Sequence, residues 1–264
     1  MPDFTAKDVQ RLRQVSGAGM LDAKKALEES QGDFDEALKY LRLHGQASAA
    51  KRDEREASQG AVAAVRAGDA AAVVEMRCET DFVAKSDEFV ALTDELAALV
   101  AAKGEGAASE LNDEIDRLRT SLKENISVGQ VRRLVAETGQ VVDTYLHQQA
   151  GRGVNAVAIV LDGGDEALAH EIAVHIAFTK PAYLSRDEVP EADVTAERAT
   201  VAEISRNEGK PEAAMEKIVD GRMNGWFKER VLLDQSYVKD EKQSIAGMLG
   251  DARIVAFAQV VIGS

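Results

Sequence analysis

The stretch Arg77-Cys-Glu-Thr-Asp-Phe-Val-Ala-Lys-Ser-Asp-Glu-Phe89 changes its apolar period partway along, and that change limits the folds open to the chain. Val74, Met76 and Cys78 alternate with Glu75, Arg77 and Glu79, the period-two pattern of a half-buried strand. Phe89, Leu92, Leu96 and Leu99 then recur at helical spacing. Phe82 falls between the two patterns and belongs to neither. An aromatic residue at a strand–helix corner can fold inward as a core plug or point outward as an anchor for a partner's pocket. The pattern alone favours the plug, because most Phe side chains are buried.

The 264 residues suffice for one or two domains with a substantial core. With 46 acidic against 32 basic side chains, the chain is a poor direct ligand for nucleic acid, which needs clustered Lys and Arg. Residues 1–55 are balanced, so the deficit of 14 lies beyond them. One cysteine, Cys78, cannot form an internal disulfide, which fits a reducing compartment; as a small buried hydrophobe it needs no further role. The N-terminus MPDFTAKDVQR lacks the apolar core of a secretory signal, and no apolar run approaches a membrane span of ~18 residues. A soluble cytoplasmic protein is expected.

Residues 1–45 read as a three-helix docking module. Thr5 caps a helix turning Val9, Leu12 and Val15 inward, and Gly17-Ala18-Gly19 stops it. Met20–Ser30 is the second helix, and Asp33 opens a third with Phe34, Leu38 and Leu41 in a stripe. Met20 and Leu21 are either core or exposed apolar contacts. Residues 46–59 read as a linker or a solvated helical extension.

From Gly60 the texture becomes α/β: a hairpin over 61–79, a helix at 87–102, and a second helix marked by Leu111, Ile115, Leu118 and Leu122. A second hairpin is expected over 128–147, turning at Thr138-Gly139, followed by a loop at 148–153, a strand at 156–161 and a helix at 165–178. The order suggests a duplicated subdomain, 60–140 and 141–190 with 230–264. Inserted in the second of these, 191–229 reads as a helical hairpin whose first helix is capped by Thr195. A short helix near 242–249 and a strand at 253–262 complete the chain. The fold class expected is α+β: three N-terminal helices, then two similar subdomains with antiparallel sheets and an inserted helical hairpin.

Catalytic motifs fail. His170-Glu-Ile-Ala-Val-His175 spaces its histidines i, i+5, about 140° apart on a helix, whereas a zinc H-E-x-x-H needs one turn. Gly151-Arg-Gly153 lacks the third glycine of a dinucleotide fingerprint and precedes a strand. No phosphate-binding loop or nucleophile elbow is present. The expectation is a binding protein and not an enzyme, with no cofactor and no metal.

Several strings together resemble the elongation factor Ts family: S-G-A-G-M-L-D-A-K-K-A-L at 16–27, G-D-F-D-E-A-L at 32–38, E-T-D-F-V-A-K at 79–85, H-I-A-F-T-K-P at 175–181, G-R-M-N at 221–224 and L-L-D-Q at 232–235. The resemblance implies a guanine nucleotide exchange factor for elongation factor Tu. It also implies that Asp81 and Phe82, flanked by Thr80 and Val83, form a wedge that disturbs the magnesium and phosphate site. This reverses the plug reading of Phe82. The first 45 residues resemble the ubiquitin-associated fold, which makes Met20, Leu21 and Lys24 contacts to the nucleotide-binding domain, and His147 matches a family interface position. The hairpin at 191–229 matches a protruding or dimerisation region, so a homodimer or two-plus-two assembly is a further expectation. An interaction protein that binds without accelerating release is the competing reading; a metallopeptidase rests only on the failed motif at 170–175.

Three departures stand out. Leu122-Lys123-Glu124-Asn125 replaces the family's I-G-E-N, putting a long cation where glycine is usual. Gln148-Gln149 and Val154-Asn155-Ala156 alter the entry to the following strand. The sequence stops at Ser264, so the extra C-terminal helix of some relatives is expected to be missing.

Overall fold

A computed structural model describes residues 4–50 and 55–263. Three helices open the chain: α1 (Ala6–Ser16), α2 (Met20–Glu29) and α3 (Phe34–Ala50). Thr5 and Asp8 cap α1 reciprocally. The Thr5 hydroxyl accepts from the Asp8 amide, and the Asp8 carboxylate accepts from the Thr5 amide at 2.7 Å. Gly17 then leaves the helix at φ +69°. Val9, Leu12, Ala23, Ala26, Leu27 and Leu41 form the core of the module. Val15, expected inward, is 57% exposed and lines a crevice between the module and a later helix. The stretch 46–59, read as a linker or a helical extension, falls partly outside the described residues; α3 continues through its first part, to Ala50, as the helical extension would have it.

Two antiparallel sheets follow. The first has the order β1 (Gln59–Ala67), β2 (Ala70–Cys78), β3 (Ser127–Val135), and the second β4 (Gln140–Gln149), β5 (Arg152–Asp162), β8 (Arg253–Val261). They pack face to face through Val62, Ala71 and Val73 on one side and Ala156, Ala158 and Val160 on the other. Helices α5 (Asp87–Lys103) and α6 (Asn112–Leu122) cover the outer face of the first sheet, with Phe89, Leu96 and Val100 against Ala63, Val74 and Met76. Helix α7 (Glu166–Thr179) covers the second, with Ile172 and Ile176 against Val157 and Ile159. In each half, two hairpin strands are followed by helical cover and a third strand that joins the second. The architecture is α+β, three N-terminal helices followed by a core with small antiparallel sheets.

Four expectations change. Strand β2 is buried on both faces, not half-buried, because the second sheet covers the side that alternation marks as polar. Glu75 on that side has no exposed surface. Its carboxylate accepts from Arg77 Nε at 2.8 Å, the Gln130 amide at 3.3 Å and the Gly263 amide at 3.0 Å. Strands β3 and β4 are not a hairpin: after the turn at 138–139 they enter different sheets. The true hairpin is β4–β5, and the expected loop at 148–153 shrinks to a tight turn at Ala150-Gly151, with φ +52° and +82°, because Gln148 and Gln149 pair with Gly153 and Arg152. Thr195 lies inside α8 (Glu191–Asn207), which starts after Pro190.

The inserted unit pairs α8 with α9 (Met215–Arg230) through Val201, Met215, Val219, Met223 and Phe227. Where a short helix near 242–249 is expected, strands β6 (Ser236–Tyr237) and β7 (Asp240–Ser244) precede the single-turn α10 (Ile245–Leu249). Negative side chains at 240–241 suit this exposed edge.

Candidate functional site: an aromatic corner

Strand β2 ends at Cys78, and Glu79–Thr80 lead into the one-turn helix α4 (Asp81–Ala84). Thr80 caps it, its hydroxyl accepting from the Val83 amide at 3.3 Å. A single turn is too short to hold itself by its own hydrogen bonds. The corner is held from outside. The Glu124 carboxylate accepts from the Glu79 and Thr80 amides, each at 3.1 Å, and from the Thr80 hydroxyl. In return the Glu79 carboxylate accepts from the Asn125 amide at 2.7 Å, and the Cys78 thiol donates to the Thr80 carbonyl at 3.2 Å.

On this support Phe82 is 84% exposed, the most exposed large apolar side chain among the described residues. The plug that pattern alone favours is therefore ruled out: the corner's inward position belongs to Val83 and Ala84, which are buried with Phe89 and Met76. Val83, expected among the contact residues, lies beneath the corner and supports it. Asp81 sits beside Phe82 and pairs with Lys85 at 2.5 Å, and this hydrogen bond holds its carboxyl below the ordinary value, so it is charged at neutral pH. Across an open cleft stand Gln149, Ala150, Arg152 and Val154 of the β4–β5 hairpin. Gly153 lets that hairpin approach β1, since a Cβ there would lie 2.1 Å from the Val62 carbonyl oxygen.

The other expected residues lie elsewhere. Met20 is 50% and Leu21 80% exposed at the start of α2, so the core reading of this pair does not hold. Lys24, one turn on, is exposed and pairs with Glu28 at 3.5 Å. His147 is exposed near the end of β4, opposite Asn155 on β5. The failed metal motif separates in space: His170 lies at the surface with Nδ1 2.9 Å from Asp143, whereas His175 is buried with Nε2 2.9 Å from Gln235. Sequence reading missed the supports Glu124, Glu79 and Asn125. The E-N pair at 124–125 was visible, but its partners are 44 or more residues away.

The family model described as elongation factor TS matches residues 79–264, from the corner through the rest of the core. Over 278 aligned positions covering all of both chains, the sequence is 44% identical to elongation factor Ts of Clavibacter michiganensis subsp. michiganensis (strain NCPPB 382). It is 42% identical over the same span to that of Renibacterium salmoninarum, again covering both chains fully. To that of Mycobacterium marinum it is 44% identical over 262 positions, covering 96% of this chain and 95% of the relative. With likeness running from the N-terminal module through both sheets, the chain belongs to the elongation factor Ts family.

Proposed function

We propose that this translation factor binds elongation factor Tu carrying GDP, in the cytoplasm, and speeds GDP release by disturbing the magnesium and phosphate site. The observation that carries the reading is Phe82, a bare aromatic ring on a corner braced behind it through the Glu79 and Thr80 amides and the Thr80 hydroxyl. A ring already exposed and already positioned enters a partner's pocket without first unfolding its own core. Burying it yields about 2 kcal/mol, more than a tenfold effect. Bound nucleotide depends on a magnesium ion with demanding octahedral geometry, so a small displacement of the elements around that ion loosens GDP without any covalent step. By linkage, GDP weakens the exchange factor's binding by the same factor.

In this reading Phe82 is the wedge, and Asp81 and Thr80 supply the polar rim. Met20 and Leu21, with Lys24 beside them, grip the nucleotide-binding domain, and His147 meets the partner from the second sheet. The working units are the docking module 1–45, the connection 46–59, the subdomains 60–140 and 141–190 with 230–264, and the hairpin 191–229. A second copy of the chain, where one joins, meets the first through that hairpin; sedimentation of the complex separates a one-to-one from a two-plus-two assembly.

The test is stopped-flow release of a fluorescent GDP analogue from elongation factor Tu. Fast release by the parent, lost by roughly thirtyfold or more in a folded Phe82→Ala variant, is the expected result. Equal release by both would remove Phe82 from the mechanism. Binding with no acceleration by either would leave an interaction protein and sink the exchange reading.

A further inference from the structure

We propose that Lys123-Glu124-Asn125 is a brace that sets the Phe82 corner and the Met20–Leu21 turn in one relation, with Glu124 as the positioning residue. The inference rests on the exchange reading above. Lys123 ends α6 at φ +59°, a left-handed conformation that is unfavourable for an L-residue with a Cβ. That backbone explains why glycine suits the position. The lysine that replaces it has a use for its side chain: Nζ lies 2.8 Å from the carboxylate of Asp22, the residue after Leu21. The next residue, Glu124, takes three hydrogen bonds from Glu79 and Thr80, and Asn125 donates its amide to Glu79 and its side chain to the Arg55 carbonyl at 2.8 Å. Three consecutive residues thus touch Asp22, next to Leu21, and Glu79 and Thr80, the turn that leads into Phe82.

The two ends differ in strength. Lys123 and Asp22 are each about half exposed, so their pair biases the module's position weakly and is screened by salt. Glu124 is a charged acceptor for two backbone amides and a hydroxyl, the stronger class of hydrogen bond. Helix α6 adds a second contact with the module along the crevice lined by Val15 and Leu41 on one side and Asp116 and Thr120 on the other.

The experiment measures analogue release from elongation factor Tu over a range of exchange-factor concentrations, together with amide hydrogen exchange at Thr80. The variants are Glu124→Ala, Glu124→Gln and Lys123→Gly. Glu124→Ala is expected to lower the maximal release rate about tenfold or more and to speed exchange at Thr80. Glu124→Gln should restore most of the rate, because its carbonyl oxygen still accepts both amides and its amide group can donate to the Thr80 hydroxyl. Lys123→Gly should act on the half-saturating concentration, raising it about two- to fivefold at low salt, with the difference gone at high salt. If Glu124→Ala does not fold, Glu124→Asp, too short to reach both amides, takes its place. A parental maximal rate in a variant whose Thr80 amide exchanges fast would overturn the brace. So would Gln and Ala variants that are equally slow, which would mark Glu124 as a direct contact. A parent chain that fails to accelerate release fails the exchange reading itself.

Discussion

At the scale of single residues, the corner is a set of side chains whose ordinary chemistry is suppressed so that one ring stays in place. Burial pushes the Cys78 thiol up to about 12, and the nearby Glu124 charge adds to the shift. Cys78 is therefore a neutral donor to Thr80 at every physiological pH. Alkylation by iodoacetamide should be negligible in the native protein and rapid in denaturant; labelling of the folded chain at the rate of a free thiol would show that the corner opens. Phe82→Ala removes a ring that touches mostly solvent, so its effect on stability should stay within about 0.5 kcal/mol while release is lost, as a thermal melt run beside the kinetics would show.

Among the elements, the close contact between the sheets matters most for the site, because the β4–β5 hairpin forms the far wall of the cleft beside Phe82. The approach relies on small residues: Ala71 in β2, and Ala156, Ala158 and Gly153 in β5. A methyl at Gly153 meets backbone, which cannot swing aside. Gly153→Ala should thus destabilise by about 1–3 kcal/mol, measured by urea unfolding, and displace the hairpin tip. A neutral outcome would mean that the sheets separate at no cost. In the helical pair α8–α9, the apolar residues face each other and Arg186 stacks on the Phe227 ring at 4.4 Å, closing the base of the unit.

For the whole molecule, the second sheet and its helix carry a pH dependence. His175 is a fully buried residue of α7, and burial lowers its pKa, partly offset by the hydrogen bond to Gln235. The unfolded chain then binds a proton that the folded chain refuses. Stability should be complete above the ordinary histidine value of about 6.5 and should decline as pH falls through it toward the lower folded value. Melting temperatures between pH 7.5 and 5.5 should fall in the parent and fall less in His175→Gln; parallel slopes would remove His175 as the cause. Acid loss should be felt first in the second sheet, because His175, Gln235, Thr179 and the Val238 amide form one cluster there.

Much of this was legible along the chain. Caps, glycine stops and apolar periods located the three N-terminal helices, β1, β2, α5, α7 and the helical pair, because these signals act over a few residues. The motif at 79–85 located the corner in the same way. What lay beyond reach depended on residues distant in sequence. Alternation in β2 marks one face as polar, but only the packed second sheet shows that face buried and Glu75 satisfied inside it. Local turn chemistry at 138–139 promises a hairpin, yet the strands on either side find better partners in β2 and β5. Whether Phe82 points in or out cannot be read from its neighbours in sequence. Val83 takes the inward position and Glu124 holds the turn from 44 residues away, and only the folded chain brings that carboxylate to the corner.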